Sequence, residues 1–159
     1  MDTITPARTW AFLDLENLLY PWKRDDGSLV DQLHHLVECV RSRAPRAAVV
    51  GVANRRLAGL LVAEAAHLRV RLHPCGKGPD AADLELINRL AYDVPDSCER
   101  VIIGSGDHLF AMAARRLRTE GRHVTVMCYQ MKISSVLYRA CDDSHILPAR
   151  RTADHWPAA

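Results

Sequence analysis

Short apolar segments rich in β-branched residues alternate along this chain with longer segments whose apolar residues have helical spacing. The clearest short segment is 100–105, where consecutive apolar residues are bounded by turn-forming residues, as is typical of a central strand. Residues 29–40 carry leucines and valines at helical spacing. This alternation predicts a parallel sheet covered on both faces, because each crossover between parallel strands lays a helix against the sheet.

We expect an α/β fold with a doubly wound, mostly parallel sheet of five or six strands and helices on both faces. Strands are predicted at 9–14, 46–53, 70–74, 100–105, 123–129 and 145–147. Helices are predicted at 29–40, 57–68, 81–91, 108–120 and 134–140. These elements fit one domain over residues 9–148, with an N-terminal extension at 1–8 and a flexible C-terminal tail at 149–159.

The composition is that of a globular protein, since 48% of the 159 residues are hydrophobic and 25% are charged. The chain has no apolar run of about 18 residues or more, and its N-terminus lacks the pattern of a secretory signal. We therefore expect a cytoplasmic protein without membrane association. The five cysteines have no zinc or redox spacing and are expected to be reduced and mostly buried: Cys39, Cys75, Cys98, Cys128 and Cys141.

The basic residues are unusual in kind rather than in number. The formal net charge is only +2, but 18 of the 21 basic residues are arginine, which pairs bidentately with phosphate. This composition is compatible with a nucleic-acid-binding surface and equally with ordinary solvated helix faces. Charge alone leaves both explanations open.

Acidic and amide residues follow three segments of the predicted sheet. The first strand ends in the segment 14–17, a loop after the third strand leads to Asp80 and Asp83, and the fourth strand leads to Ser105 and Asp107. Ligands of an open parallel sheet bind beyond the carboxyl ends of its strands, and the first and fourth strands are neighbours in a doubly wound order. Carboxylates gathered there repel one another unless a cation neutralises them, and oxygen ligands favour Mg²⁺ or Mn²⁺.

Each of these side chains also has a structural explanation. Asp80 precedes a predicted helix, and we favour a role as its N-cap. Asn17 is as well suited to capping a turn as to a functional site. Asp83 fits the dipole of a first helical turn, and both Asp107 and Ser105 are able to cap the following helix.

Ser105 and Lys77 are candidates for contacting a substrate phosphate, and the secondary site candidates are Asp80, Glu16 and His108. Glu16 is expected to point away from its neighbour Asn17. Lys77 lies in a flexible loop from which it is able to contact a substrate phosphate, although an exposed lysine is usually only solvated. His108 follows Asp107, and its role is left open.

Taken in order, the segments 12–17, 77–84 and 103–107 resemble the motifs of the NYN domain family, the PIN-like ribonucleases. The resemblance extends over nearly all of residues 9–148. It implies a Rossmann-like PIN/NYN fold, a Mg²⁺ or Mn²⁺ site, and the cleavage of single-stranded or structured RNA. By motif position, four residues correspond to the acidic or amide residues of the family's metal site: Asp14, Asn17, Asp83 and Asp107.

The sequence departs from this pattern at Leu109, where many family members have a second aspartate. One alternative to a ribonuclease is therefore a weakly active or inactive module that binds RNA or a protein partner, and a homodimer is also compatible with the sequence. A phosphohydrolase or nucleotide-binding domain ranks last, because the chain lacks a phosphate-binding glycine loop and a dinucleotide-binding turn.

Overall fold

The computed structural model describes residues 7–19, 28–129 and 132–148. Its sheet has six strands in the order β3-β2-β1-β4-β5-β6. All five pairings between them are parallel. The strands are β1 (Thr9–Asp14), β2 (Ala48–Asn54), β3 (Val70–Cys75), β4 (Arg100–Gly104), β5 (His123–Tyr129) and β6 (Asp143–Leu147).

Six α-helices and one short 3₁₀ helix connect these strands in the described part of the chain. The 3₁₀ helix spans His108–Phe110. The α-helices are α1 (Leu15–Leu18), α2 (Ser28–Arg43), α3 (Arg55–His67), α4 (Ala81–Tyr92), α5 (Ala111–Thr119) and α6 (Ser135–Ala140). None of the helices in the described ranges is long and apolar enough to cross a membrane.

Strand β1 lies at the centre of the sheet, between β2 and β4. The last five of its six residues are buried, as expected for a strand covered on both faces. Its final residue, Asp14, is in register with Val52, and Leu13 is in register with Gly104. The expected doubly wound order with β1 beside β4 is thus confirmed, and the switch point lies where Asp14 ends its strand.

Two apolar clusters form the core, one on each face of the sheet. Alternate residues of the strands belong to the first cluster and to the second. The first cluster also contains leucines and valines of α1, α2 and α3. The second is completed by apolar residues of α4, α5 and α6 and by Phe110. This alternation is the period-two pattern of strand side chains, and it confirms the prediction of helices on both faces. All five cysteines are free, and four of them are buried.

Two local features differ from the predictions. The one-turn helix α1 was not predicted; it forms because the Asp14 side chain caps it and because Leu15 and Leu18 are both buried. The helix predicted at 108–120 is a 3₁₀ turn followed by α5, and it ends as expected near Gly121, whose φ is 85°. Most of the N-terminal extension and the predicted tail at 149–159 lie outside the described residues.

The acidic pair before the last strand lies at the opposite edge of the sheet from the predicted site. Asp143 is the first residue of β6, and the carboxylate of Asp142 accepts a hydrogen bond from the backbone N–H of Val124 at 2.8 Å. Asp142 also pairs with Arg118 at 2.9 Å. Both aspartates therefore lie at the amino ends of the strands, away from the carboxyl edge where the site is predicted.

Candidate active site

A cleft of about 250 Å³ opens at the carboxyl edge of the sheet, beyond β1 and beside the first turn of α4. It gathers side chains from all three of the segments identified in the sequence. Its polar lining consists of Asp14, Glu16, Asn17, Asp80, Asp83 and Asp107. Five of these six side chains are carboxylic acids.

Asp14 is the most deeply buried acid of the cleft, with 4% of its surface exposed. Its two carboxyl oxygens have different partners: Oδ1 accepts from the backbone N–H of Asn17 at 3.3 Å, and Oδ2 accepts from the hydroxyl of Ser105 at 3.4 Å. Burial, followed by the charge of Asp83, raises the pKa of Asp14 to about 7. The metal-free site therefore holds this carboxyl near the midpoint of its titration at neutral pH.

Asp83 lies in the first turn of α4 and lines the cleft together with Asp14. Burial raises the pKa of Asp83, and the charge of Asp107 raises it further. Asp83 is thus coupled to an acid on either side of it, one at the end of β1 and one after β4. This is the predicted convergence of three separate segments on one cleft.

Asp107 has both of the roles considered for it. Its Oδ1 accepts from the backbone N–H of Leu109 at 2.9 Å and so caps the 3₁₀ helix, while the residue also lines the cleft. The ring of His108 lies 3.1 Å from the same oxygen, and 69% of that histidine side chain is exposed. His108 therefore contacts an acid of the cleft from the solvent side.

Ser105 is fully buried and connects the two neighbouring strand ends. Its hydroxyl donates to Asp14 and accepts from the backbone N–H of Asp107 at 3.2 Å. One hydroxyl thus fixes the relative positions of two acids that lie 93 residues apart in the sequence.

Two predictions about neighbouring acids are wrong. Asp80 precedes α4, but its side chain makes no capping hydrogen bond, since its backbone is left-handed with φ of 61° rather than extended as a side-chain cap requires. It lines the cleft instead. Glu16 was expected to point away from Asn17, and both residues line the cleft.

Lys77 lies on the exposed loop that precedes α4. It is not among the residues that line the cleft, to which the same loop contributes Gly78. A contact between Lys77 and a substrate phosphate stays a prediction.

Within the described residues, no arginine or lysine side chain neutralises the acids at the centre of the cleft. Within residues 7–19, 28–129 and 132–148, neither Asp14, Asp83 nor Asp107 forms an ion pair with arginine or lysine. The same ranges contain no group of three or more acidic, histidine or cysteine side chains already arranged as a metal-coordination shell. Carboxylates that share a cleft repel one another, and a divalent cation is a group that would compensate their charge.

The donor set fits a hard divalent cation. Every charged group of the cleft is a carboxylate, Asn17 adds an amide, and no imidazole or thiolate is part of the lining. Such oxygen-only sites favour Mg²⁺ or Mn²⁺ over zinc. Burial is the main cause of the raised pKa values of Asp14 and Asp83, and the neighbouring acids raise them further.

Two contributors to the site were not recognised in the sequence. Asn54, the last residue of β2, donates a hydrogen bond from its side-chain amide to Glu16. Gly106 lies against the backbone of Lys132, and its carbonyl accepts from the N–H of Ser134 at 2.8 Å. The sequence signal that would have identified Asn54 is an asparagine at the end of a strand. The role of Gly106 depends on a contact with a distant segment, which the sequence does not reveal.

The family model of the NYN domain matches residues 8–148, nearly the whole chain. The chain belongs to the NYN domain family. NYN domains are generally nuclease-like, and the match places this protein coarsely among such hydrolases. The three segments that carried the resemblance are the ones that converge on the cleft.

Comparison of structures agrees with the NYN assignment of the fold. A crystal structure of a protein of unknown function from Vibrio parahaemolyticus matches with a TM-score of 0.62 over 93% of this chain and 97% of that one. The two sequences are 17% identical, so the likeness concerns the fold alone. No curated protein matches the chain significantly.

Proposed function

We propose that this NYN domain is a metal-dependent ribonuclease that hydrolyses phosphodiester bonds of RNA at the acidic cleft. The observation that carries the proposal is the convergence of Asp14, Asp83 and Asp107 on one cleft, with no arginine or lysine partner for any of them in the described residues. Uncompensated buried acids cost stability, and a cation-binding function is a reason to retain them.

In this proposal Asp14, Asp83 and Asp107 hold Mg²⁺ or Mn²⁺ by their carboxylates. The bound cation supplies an activated water and offsets negative charge on the scissile phosphate. Ser105 orients Asp14 and Asp107 through its two hydrogen bonds. Asn17 anchors the other oxygen of Asp14 by its backbone N–H, and its side-chain amide is available to position water or substrate.

The proposed substrate is single-stranded or structured RNA in the cytoplasm, and Lys77 is assigned to its binding. Ser105, also expected to contact a substrate phosphate, is fully buried and instead orients the two acids. RNA carries one phosphate per nucleotide, which a cleft of negative charge alone would repel. The cation therefore serves recognition as well as chemistry. Substrate binding and metal binding are expected to be cooperative for this reason.

The direct test incubates purified protein with end-labelled RNA and Mn²⁺ and compares the wild type with Asp107→Asn. Asp96→Asn is a matched control, because it makes the same chemical change at an exposed position on the loop before β4. We expect cleavage by the wild type and the control and its loss in Asp107→Asn. Equal cleavage by all three proteins would identify a contaminating nuclease and reject the assignment.

A second candidate is an NYN module that binds RNA or a protein partner without cutting RNA. Leu109 favours it, since this residue replaces an acid of the family pattern and is 39% exposed on the 3₁₀ helix. Titration of the wild type with Mn²⁺ in a calorimeter separates the two candidates. RNA binding without Mn²⁺ binding would favour the second, and Mn²⁺ binding with RNA cleavage would favour the first.

A further inference from the structure

Glu16 and Asn54 form a hydrogen-bonded pair at the rim of the cleft. Asp14 is in register with Val52, so Glu16, two residues after Asp14, lies level with Asn54, two residues after Val52. Helix α1, which contains Glu16, packs against β2. The side-chain amide of Asn54 donates to Oε1 of Glu16 across this short distance. The contact joins two segments that lie 38 residues apart.

Both polar groups of the Asn54 side-chain amide form hydrogen bonds. Its oxygen accepts from the backbone N–H of Leu57 at 2.9 Å and caps α3, which leaves the NH₂ group as the donor to Glu16. The cap fixes which atom of the amide faces which partner, so that the asparagine presents a donor rather than an acceptor to Glu16. A hydrogen bond from a fixed donor favours one orientation of the Glu16 carboxylate.

Glu16 is held where a further acid is needed. It lines the cleft together with Asp14 and Asp83, and within the described residues it has no arginine or lysine partner. On the 3₁₀ helix after Asp107, the position of the missing family aspartate is occupied by Leu109, which does not line the cleft. Glu16 thus offers from α1 the oxygen ligands that the 3₁₀ helix does not provide.

We propose that Glu16 is an additional ligand of the divalent cation and that Asn54 is the positioning residue that orients it. This inference rests on the proposed function, because it concerns the same cleft and the same ion. It adds two residues to the site and explains how an NYN domain with Leu109 retains enough carboxylates to bind metal.

The test measures Mn²⁺ affinity by calorimetry for four full-length proteins: the wild type, Glu16→Gln, Asn54→Ser and the double variant. Glutamine keeps the acceptor for Asn54 but removes the charge, and serine keeps the cap of α3 but removes the donor to Glu16. We expect each single variant to bind Mn²⁺ about 10-fold more weakly, as for loss of a supporting group of a metal site. Since Asn54 acts through Glu16, the double variant is expected to bind no more weakly than Glu16→Gln.

Melting temperatures of the metal-free proteins separate positioning from folding. Asn54→Ser is expected to melt within a few degrees of the wild type, because its helix cap is preserved. Wild-type affinity in Glu16→Gln would overturn the inference whatever the serine variant does, and additive losses in the double variant would overturn the positioning role of Asn54. Failure of the wild type to bind Mn²⁺ would instead overturn the proposed function itself.

Discussion

Ser105 donates a hydrogen bond to Asp14 and at the same time accepts one from the backbone N–H of Asp107. A single buried hydroxyl therefore couples the ends of two neighbouring strands, at the point where the doubly wound order reverses. Because both acids face the cleft, the geometry of the site depends on a residue that is itself uncharged and inaccessible.

Ser105→Ala is expected to lower stability by about 1–3 kcal/mol, because it leaves the N–H of Asp107 and one oxygen of Asp14 without a buried partner. Mn²⁺ affinity should fall as well, since Asp14 loses a donor that favours its charged form. Urea denaturation and calorimetry measure the two effects. Ser42→Ala is the control, as its hydroxyl bonds only to the carbonyl of Cys39 on the exposed surface of α2; equal losses in both variants would contradict the prediction.

The metal-free protein is expected to lose stability as pH rises from about 4 to 7. Asp14 has its pKa raised from 3.8 to about 7 in the folded state, so the folded protein retains a proton that the unfolded chain has already released. Its contribution is complete below the unfolded pKa and disappears as pH rises through the folded pKa. The difference amounts to at most about 4 kcal/mol. Asp14→Asn should flatten the dependence and be the more stable protein at pH 8.

Denaturant titrations of both proteins at several pH values in EDTA measure this difference. The comparison reports the titration of Asp14 together with its coupling to Asp83, because every titrating group other than Asp14 is present in both chains. A stability difference that is constant from pH 4 to pH 8 would contradict the raised pKa.

Mg²⁺ or Mn²⁺ is expected to raise the melting temperature of the wild type, and EDTA to reverse the increase. Binding at 100 times Kd stabilises a folded protein by about 2.7 kcal/mol. Asp83→Asn removes an acid coupled to both of its neighbours, so it should raise the melting temperature without metal and abolish most of the increase with metal. Ca²⁺, Mg²⁺ and Mn²⁺ are compared by thermal denaturation, and an identical metal response in wild type and variant would contradict the assignment.

Gly106→Ala is expected to reduce both stability and RNA cleavage. A Cβ built on Gly106 would lie 1.9 Å from the carbonyl oxygen of Lys132, so the backbone beside Asp107 would have to move. Gly59→Ala is the matched control, since nothing lies within 4 Å of a Cβ at that position in α3. The control should gain about 1 kcal/mol from helix propensity.

Urea denaturation and the RNA cleavage assay measure the two glycine variants side by side. If Gly106→Ala is as stable as the control, the backbone around Lys132 is able to move away from the added Cβ without a loss of stability, which would contradict the prediction. Cleavage at the wild-type rate would show that this segment does not support Asp107.

The residues at the carboxyl ends of β1 and β4 were recognisable in the sequence for a physical reason. A charged residue that directly follows a continuous apolar strand has to lie at the sheet edge, and the order of the strands then brings Asp14 and Asp107 together. Asp83 was found through the resemblance, since a first-turn aspartate alone is explained equally well by the helix dipole. Leu109 was identified as a departure on the same basis.

Other residues could not be assigned from local pattern. Asp80 has the sequence position of a helix cap, but a left-handed backbone turns its side chain away from the free N–H groups of α4. Glu16 was expected to be diverted from the site by its neighbour, and the one-turn helix α1 places both in the cleft. Asn54 has no motif around it, and its partner lies 38 residues away.

The sequence by itself determined the parallel sheet, the two covered faces and the edge at which acids gather, because these follow from apolar periodicity and from where charge interrupts it. Only the tertiary structure decided which acids are buried, which hydroxyl and amide orient them, and how strongly they repel. Those properties depend on distances between segments that share no local pattern, and the pKa of Asp14 changes with each of them.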